Sequence, residues 1–425
     1  MVGENILKEI IVGNEKFILE DLNEPIDREF VSFPEKLKKV HVLYGARRTG
    51  KTYMLFGVFR RNSDSSLYID FEDERLKDFE SSDFQKLKEV FFELKPELLD
   101  SNKVNFLFDE IHNIDGWEKF CRRLVERENI NVFVAGSSSK ITPSEVHSSL
   151  RGRYWSLEVF PFSFREFLTA KGFEQKENLI YGSKKPLIKK NFMEYLEWGG
   201  FPEVVLTDKE FEKRKILKEY MDAMYFKDLV ERFDIKNITL LETLWEKLFS
   251  SFSTKLSLHA FYKQFKDNFP FSKESLYSYF HYFLRSWLAF QVDKFSESEY
   301  VRKRNPGKIY LLDNGLSRRV TSTDYGRLLE NIVFLELRRK SREIFYFQEK
   351  KECDFIVKEE NRLRAIQVTW EPNNKNSERE EKGIVEFCRR FKLNRGTILS
   401  FNSEDKIKKG NIEIEVTPVW KWLLE

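Results

Sequence analysis

Several things are scarce in this 425-residue sequence, and each scarcity narrows what the chain can be. There are three cysteines, Cys121, Cys353 and Cys388, far apart and without CxxC spacing. That argues against zinc and against a disulfide scaffold, and it fits a reducing cytoplasm. No apolar run approaches the ~20 residues of a membrane span, and the opening "MVGENILKEI" lacks a secretion-signal layout, so no membrane role is expected. Excess charge of one sign is missing too: Lys+Arg 73 against Asp+Glu 70 leaves +3. The chain is no polycation, and nucleic-acid binding would have to come from local basic patches. Histidine and methionine are few while Lys and Glu abound, a composition that suits a thermophile. The sequence shows neither an internal repeat nor a long low-complexity stretch.

What is present is globular in character, with 41% hydrophobic and 34% charged residues. The length suggests two to four domains. "KVHVLYG" (39–45), "SLYIDFED" (66–73), "VNFLFDE" (104–110) and "NVFVAGS" (131–137) read as buried strands. "TYMLFGVFRR" (52–61) and "WEKFCRRLVER" (117–127) read as helices between them. Buried strands alternating with helices indicate an α/β domain with a parallel sheet. From about 186 to 250 the pattern is helical, interrupted at "WGGFP" (198–202). Residues 254–313 read as two helices followed by two strands with a basic turn, and a helix near 323 precedes mixed strands and helices.

"GARRTGKT", Gly45 to Thr52, matches the phosphate-loop pattern G-x-x-x-x-G-K-[ST] in its required setting of strand, loop and helix. Gly45 and Gly50, with Arg48 and Thr49 between them, let backbone N–H groups wrap phosphates. Lys51 would pair with the β/γ-phosphates, and the Thr52 hydroxyl would ligate Mg²⁺. "FLFDE" places Asp109 at a strand end, where it would hold Mg²⁺ through water, and Glu110 beside it, where it would orient or deprotonate the attacking water. Ser137 and Ser138 end the next strand and would sense the γ-phosphate, although serines are also ordinary turn residues there. In "SLRGRYWS" (149–156), Arg151 or Arg153 would reach a neighbouring subunit's nucleotide, or form a plain surface pair.

Further along, Leu276, Tyr279, Phe280, Phe283, Leu284 and Trp287 recur at helical spacing, which marks a core face. The segment resembles the second helix of a winged helix-turn-helix. "EYVRKRNPGK" (299–308) would be its wing, with Arg302, Lys303, Arg304 and Lys308 gripping DNA phosphates. Packing without DNA contact is the equal alternative.

Taken together, "LYGARRTGKT", "FLFDEIHNIDGWEKF", "VFVAGSSSKI", "LRGRYWSLEVFPFSFREFL" and "WGGFPEVV" resemble archaeal and bacterial P-loop ATPases at the AAA+/STAND border. That resemblance implies an α/β P-loop domain over 1–185, a helical lid over 186–250, a winged helix over 251–315 and a nuclease-like α/β domain over 320–425. It implies ATP and Mg²⁺ as cofactors, ADP as product, and a homo-oligomeric ring such as a hexamer, with DNA as a candidate target. "CDFIVKEENRLRAIQVTW" (353–370) resembles a PD-(D/E)xK nuclease core. Glu330 and Asp354 stand where carboxylates belong. Gln367 replaces the second strand carboxylate, and Thr369 stands where the catalytic lysine belongs, so neither the full metal charge nor the lysine is supplied. Glu371 is a candidate replacement carboxylate, and nothing evident replaces the lysine. The expectation is an ATP-hydrolysing motor or switch with a decayed nuclease-like domain. The alternatives are an ATP-dependent nuclease with a displaced catalytic set and a nucleotide switch that scaffolds proteins.

Overall fold

The computed structural model describes every residue except 1, 30–32, 35–36, 102, 137–140, 142–148, 175–179, 320–323, 341–342, 361 and 372–376. The chain forms two compact units, Met1–Phe160 and Pro161–Glu425.

The first unit is built on five strands, β1 (Val40–Tyr44), β2 (Ser66–Asp70), β3 (Asn105–Asp109), β4 (Asn131–Ala135) and β5 (Tyr154–Glu158). They lie in the order β2-β3-β4-β1-β5, and every neighbouring pair is parallel. Period-two alternation splits their side chains between two cores. Val42, Ile69, Phe106 and Phe108 pack on one face with α1 (Glu4–Lys16), α3 (Asp83–Leu94) and α4 (Trp117–Arg127). Leu43, Tyr68, Leu107 and Phe133 pack on the other with α2 (Lys51–Arg61). A sheet covered on both faces needs nearly continuous apolar strands, which is how β1 to β4 read in sequence. Each fully buried phenylalanine, Phe106 and Phe108 among them, stabilises the fold by roughly 2 kcal/mol through burial. In α4, Trp117, Phe120, Cys121, Leu124 and Val125 are buried at i, i+3, i+4, i+7 and i+8, and the charged residues between them turn outward.

The second unit opens with α5 (Phe164–Ala170), whose start is a capping box. Ser163 Oγ accepts from the Glu166 N–H at 3.1 Å, and Glu166 Oε2 accepts from the Ser163 N–H at 2.8 Å. Helices α6 (Lys185–Trp198), α7 (Pro202–Leu206), α8 (Glu210–Ala223) and α9 (Ile238–Ser250) follow. Next come β6 (Thr254–Leu256), α10 (Leu258–Phe265), α11 (Lys273–Arg285), β7 (Ala289–Val292), α12 (Glu299–Arg304) and β8 (Gly307–Leu311). The three strands form an antiparallel sheet in the order β6-β8-β7. Helix α13 (Tyr325–Arg339) leads into β9 (Glu343–Gln348), β10 (Glu352–Glu359), β11 (Arg362–Thr369), α14 (Ser377–Arg390), β12 (Arg395–Ser400), β13 (Asp405–Lys409), β14 (Ile412–Pro418) and α15 (Val419–Trp422). These strands make a mixed sheet, β13-β14-β12-β11-β10-β9, whose core includes Cys353, Ile356, Ile384, Phe387 and Ile398.

Two close approaches fix this unit. Asp313, fully buried, accepts from the Gly200 N–H at 2.7 Å through one carboxylate oxygen and from the Gly315 N–H at 2.8 Å through the other. Burial, against the pull of those two N–H groups, pushes its carboxyl up to about 7. Gly199 beside it has φ +75°, and a Cβ there would lie 1.7 Å from Asp313 Oδ1. On α14, a Cβ at Gly383 would lie 1.8 Å from the Glu352 carbonyl oxygen, so only glycine lets that helix lie so close against β10. Among the described residues no helix is long and apolar enough to cross a membrane.

Candidate functional site

The loop between β1 and α2 turns through left-handed backbone at Arg48, φ +64°, and Gly50, φ +95°. Gly45 has φ +144°, and a Cβ on it would meet the Val159 carbonyl oxygen at 2.5 Å. The loop can therefore curl only with these glycines in place. Lys51, the first residue of α2, is buried, and its Nζ donates to the carbonyls of Ala46 at 2.7 Å and Gly45 at 3.2 Å. The Thr49 hydroxyl donates to the Ala46 carbonyl at 3.0 Å. Sequence reasoning missed Arg28, whose guanidinium donates to the Thr49 carbonyl at 3.0 Å and the Phe160 carbonyl at 2.5 Å. No motif announces it, because its role comes from where the N-terminal segment lies.

Asp109 ends β3 facing this loop. The Thr52 hydroxyl donates to its Oδ2 at 2.5 Å, and the Tyr68 hydroxyl reaches the same oxygen at 3.3 Å. Burial pushes the Asp109 carboxyl up, against the pull of the Thr52 hydroxyl and the Lys51 charge. A buried carboxylate and a hydroxyl in contact, beside a buried ammonium, are the hard oxygen donors that suit Mg²⁺ next to phosphate. Glu110 follows in left-handed backbone, φ +46°, with Oε2 at 3.2 Å from His112 Nδ1. Ser137 and Ser138 lie outside the described residues. Arg153 sits just before β5, half-exposed, with its Nε paired to Glu126 Oε1 of the same chain. Arg151 is exposed with φ +50°.

The family model described as an AAA domain matches residues 37–168. An uncharacterized protein of Methanocaldococcus jannaschii is 36% identical over 439 residues, covering 100% of this chain and 96% of that protein. The chain belongs to the AAA-type P-loop ATPases. Two further families, both described as domains of unknown function, match 189–326 and 325–422. An uncharacterized protein of Haemophilus influenzae is 28% identical over 345 residues, covering 79% of this chain and 84% of its own. Among solved structures, the Walker-type ATPase of Pyrococcus abyssi aligns with TM-score 0.41 and 14% identity over 72% of this chain and 95% of that one.

Beyond the ATPase domain, two expectations need correction. The stretch 299–308 is not a hairpin tip: Glu299–Arg304 is helical, begun by the Ser298 side chain, and Gly307 starts β8. Arg302 lies against the Phe345 ring at 5.7 Å, and Arg304 is exposed, donating to the Tyr300 hydroxyl at 2.9 Å. The side chain of Lys303 is outside the described set. Lys308 is buried, only 2% exposed, inside β8. The second correction concerns the missing lysine, because Lys308 stands among the nuclease-like carboxylates. Its Nζ lies 2.7 Å from Asp354 Oδ1, 2.8 Å from Glu352 Oε1 and 3.1 Å from Glu330 Oε1.

Glu330 and Asp354 therefore both contact Lys308, and sequence reasoning missed Glu352 beside them. Gln367 is turned to other work, accepting from the Asp354 backbone N–H at 3.1 Å and donating to Glu380 at 2.6 Å. Thr369 is buried on β11, and Glu371 is exposed just beyond that strand. Burial and the Asp354 charge push the Glu330 carboxyl up to about 7. Burial pulls on the Lys308 ammonium, but Asp354 and Glu330 more than offset it and hold it well above its ordinary range.

Proposed function

We propose that this chain is a Mg²⁺-dependent ATP hydrolase that works as an oligomeric motor or switch, acting on or with DNA. The observation that carries the reading is the 2.5 Å bond between Thr52 and Asp109 beside buried Lys51, with Glu110 next in sequence. Gly45, Arg48, Thr49 and Gly50 shape backbone around the phosphates, and Lys51 leaves its two carbonyl partners for them. Thr52 and Asp109 would hold Mg²⁺, which when bound neutralises phosphate charge. Glu110 orients the attacking water and takes its proton. Purified chain should turn over ATP with Mg²⁺ and fail with EDTA. Turnover indifferent to the chelator, or none under any condition, would refute the reading.

Arg153 is assigned to a neighbouring subunit's γ-phosphate once its Glu126 pairing is exchanged in an oligomer. Mixing Arg153→Ala subunits with Lys51→Ala subunits should then restore part of the activity that each lacks alone. A strictly monomeric protein with a full rate removes this role.

We assign residues 251–315 to a winged helix, supported by helices α10 and α11 alongside the three-stranded sheet. Its DNA contact falls to Arg302 and Arg304. Replacing both with Ala should weaken binding about equally for all sequences and flatten the log-affinity slope against log salt by about two units. Unchanged affinity would make the region a packing unit. We assign 320–425 to a nuclease-like domain that does not cut.

A further inference from the structure

We infer that Lys308 is the resident cation of the carboxylate centre formed by Glu330, Glu352 and Asp354, standing where a nuclease of this layout would need a divalent metal ion. This inference is independent of the ATPase reading. It begins from geometry. An ammonium has three N–H donors, and Lys308 Nζ meets three carboxylate oxygens, one from each acid, at 2.7, 2.8 and 3.1 Å. The acids come from two elements, Glu330 from α13 and Glu352 with Asp354 from β10, while the cation comes from β8. Three carboxylates converging on one point would repel one another without a positive charge between them.

Two of the three remaining oxygens are also taken. Asp354 Oδ2 accepts from the Val368 N–H at 3.0 Å. Lys255 of β6 donates to Glu352 Oε2 at 2.6 Å, and the Tyr310 hydroxyl of β8 donates at 2.7 Å to Glu330 Oε1, the oxygen that Lys308 also contacts. The three-stranded sheet thus supplies Lys255, Lys308 and Tyr310 to the acids of the following region. The side chain of Lys308 is 3% exposed, so it does not stand open to a scissile phosphate. Among the described residues no set of three acidic, histidine or cysteine side chains is spaced to hold a metal. The Lys308 contacts of 2.7, 2.8 and 3.1 Å are ammonium–carboxylate distances, longer than the 2.3–2.6 Å of Ca²⁺ or the 2.0–2.1 Å of Mg²⁺. The chain has replaced an exchangeable cation by one covalently its own, from a strand more than twenty residues before the first acid.

The test is thermal unfolding of nucleotide-free protein with and without millimolar Ca²⁺. Lys308→Met keeps the stem and removes the charge. It should unfold several degrees below wild type, and Ca²⁺ should recover most of that loss. Any small shift that Ca²⁺ causes in wild type is the baseline. In Lys308→Met combined with Glu330→Gln and Asp354→Asn, the loss should be smaller and the Ca²⁺ response absent. If Lys308→Met alone is insoluble, expression and refolding with Ca²⁺ should restore soluble protein, and the triple variant should be soluble without it. Two results overturn the inference: a Lys308→Met protein that Ca²⁺ neither stabilises nor rescues, or a wild type whose Ca²⁺ response disappears in Asp354→Asn. The second would mean that metal enters beside the lysine.

Discussion

Glu110→Gln should bind ATP with nearly wild-type affinity and turn it over about 10²- to 10⁴-fold more slowly, the range that a general base contributes. The substitution preserves the length of the side chain and its place after β3. It removes only the basic oxygen that would accept the proton of water. Lys51→Ala should fail differently. Its ammonium is buried between the Ala46 and Gly45 carbonyls at the start of α2, where the phosphates are expected. Removing it should weaken nucleotide binding itself. Titration with a fluorescent ATP analogue, followed by steady-state phosphate release, separates the two variants. A Glu110→Gln protein that hydrolyses at the wild-type rate would take that residue out of the reaction. Normal binding by Lys51→Ala would move the phosphate site elsewhere.

The largest effect on stability is expected at Gly199. Its backbone, φ +75° and ψ −161°, lies in a region essentially closed to other residues, which costs an L-residue roughly 1–3 kcal/mol. A methyl group would also sit 1.7 Å from Asp313 Oδ1, and overpacking of that kind costs roughly 1–3 kcal/mol more. Relief by moving Asp313 would abandon its bonds to the Gly200 and Gly315 N–H groups inside the core. Gly199→Ala should therefore lose on the order of 3 kcal/mol or more, read as a lower urea midpoint for the second unit. Gly410→Ala is the control for strain without crowding: φ is +66°, and nothing lies within 4 Å of the added carbon. It should cost only about 1 kcal/mol. Equal midpoints for the two variants would mean that the crowding at Gly199 relaxes freely.

Most of the P-loop sheet was legible because four of its five strands announce themselves, while the half-exposed β5 does not. Apolar residues such as Phe106, Leu107 and Phe108 run together and stop at Asp109, and the helix at 117–127 matches its sequence pattern to the residue. Local pattern was enough because burial on both faces leaves a local trace. Lys308 shows the opposite case. In β8 every residue from Gly307 to Leu311 is buried, so no alternation separates a cation pointing inward from one pointing at water. A run of basic residues followed by Asn305-Pro306-Gly307 reads as an exposed turn. The facts that reverse this reading are the positions of Glu330, Glu352 and Asp354, which lie 22, 44 and 46 positions later and reach Lys308 only through tertiary packing. Arg28 was hidden for the same reason: a lone arginine carries no pattern, and its partners Thr49 and Phe160 are set by the fold.

Gly383 gives the ion cluster a mechanical dependence on a residue that carries no charge. Helix α14 rests against the backbone of Glu352, and the missing side chain at Gly383 sets how far away it stands. The Glu352 carboxylate hangs from that same backbone, so the gap across which Lys308 must reach is gauged by a hydrogen atom on a helix. A lineage could keep all four charged residues and still lose their fit by gaining one methyl group at position 383. Conversely, exchange of Lys308 for a metal ion would require the helix and strand to resettle together, which makes the glycine and the lysine a pair expected to change in concert.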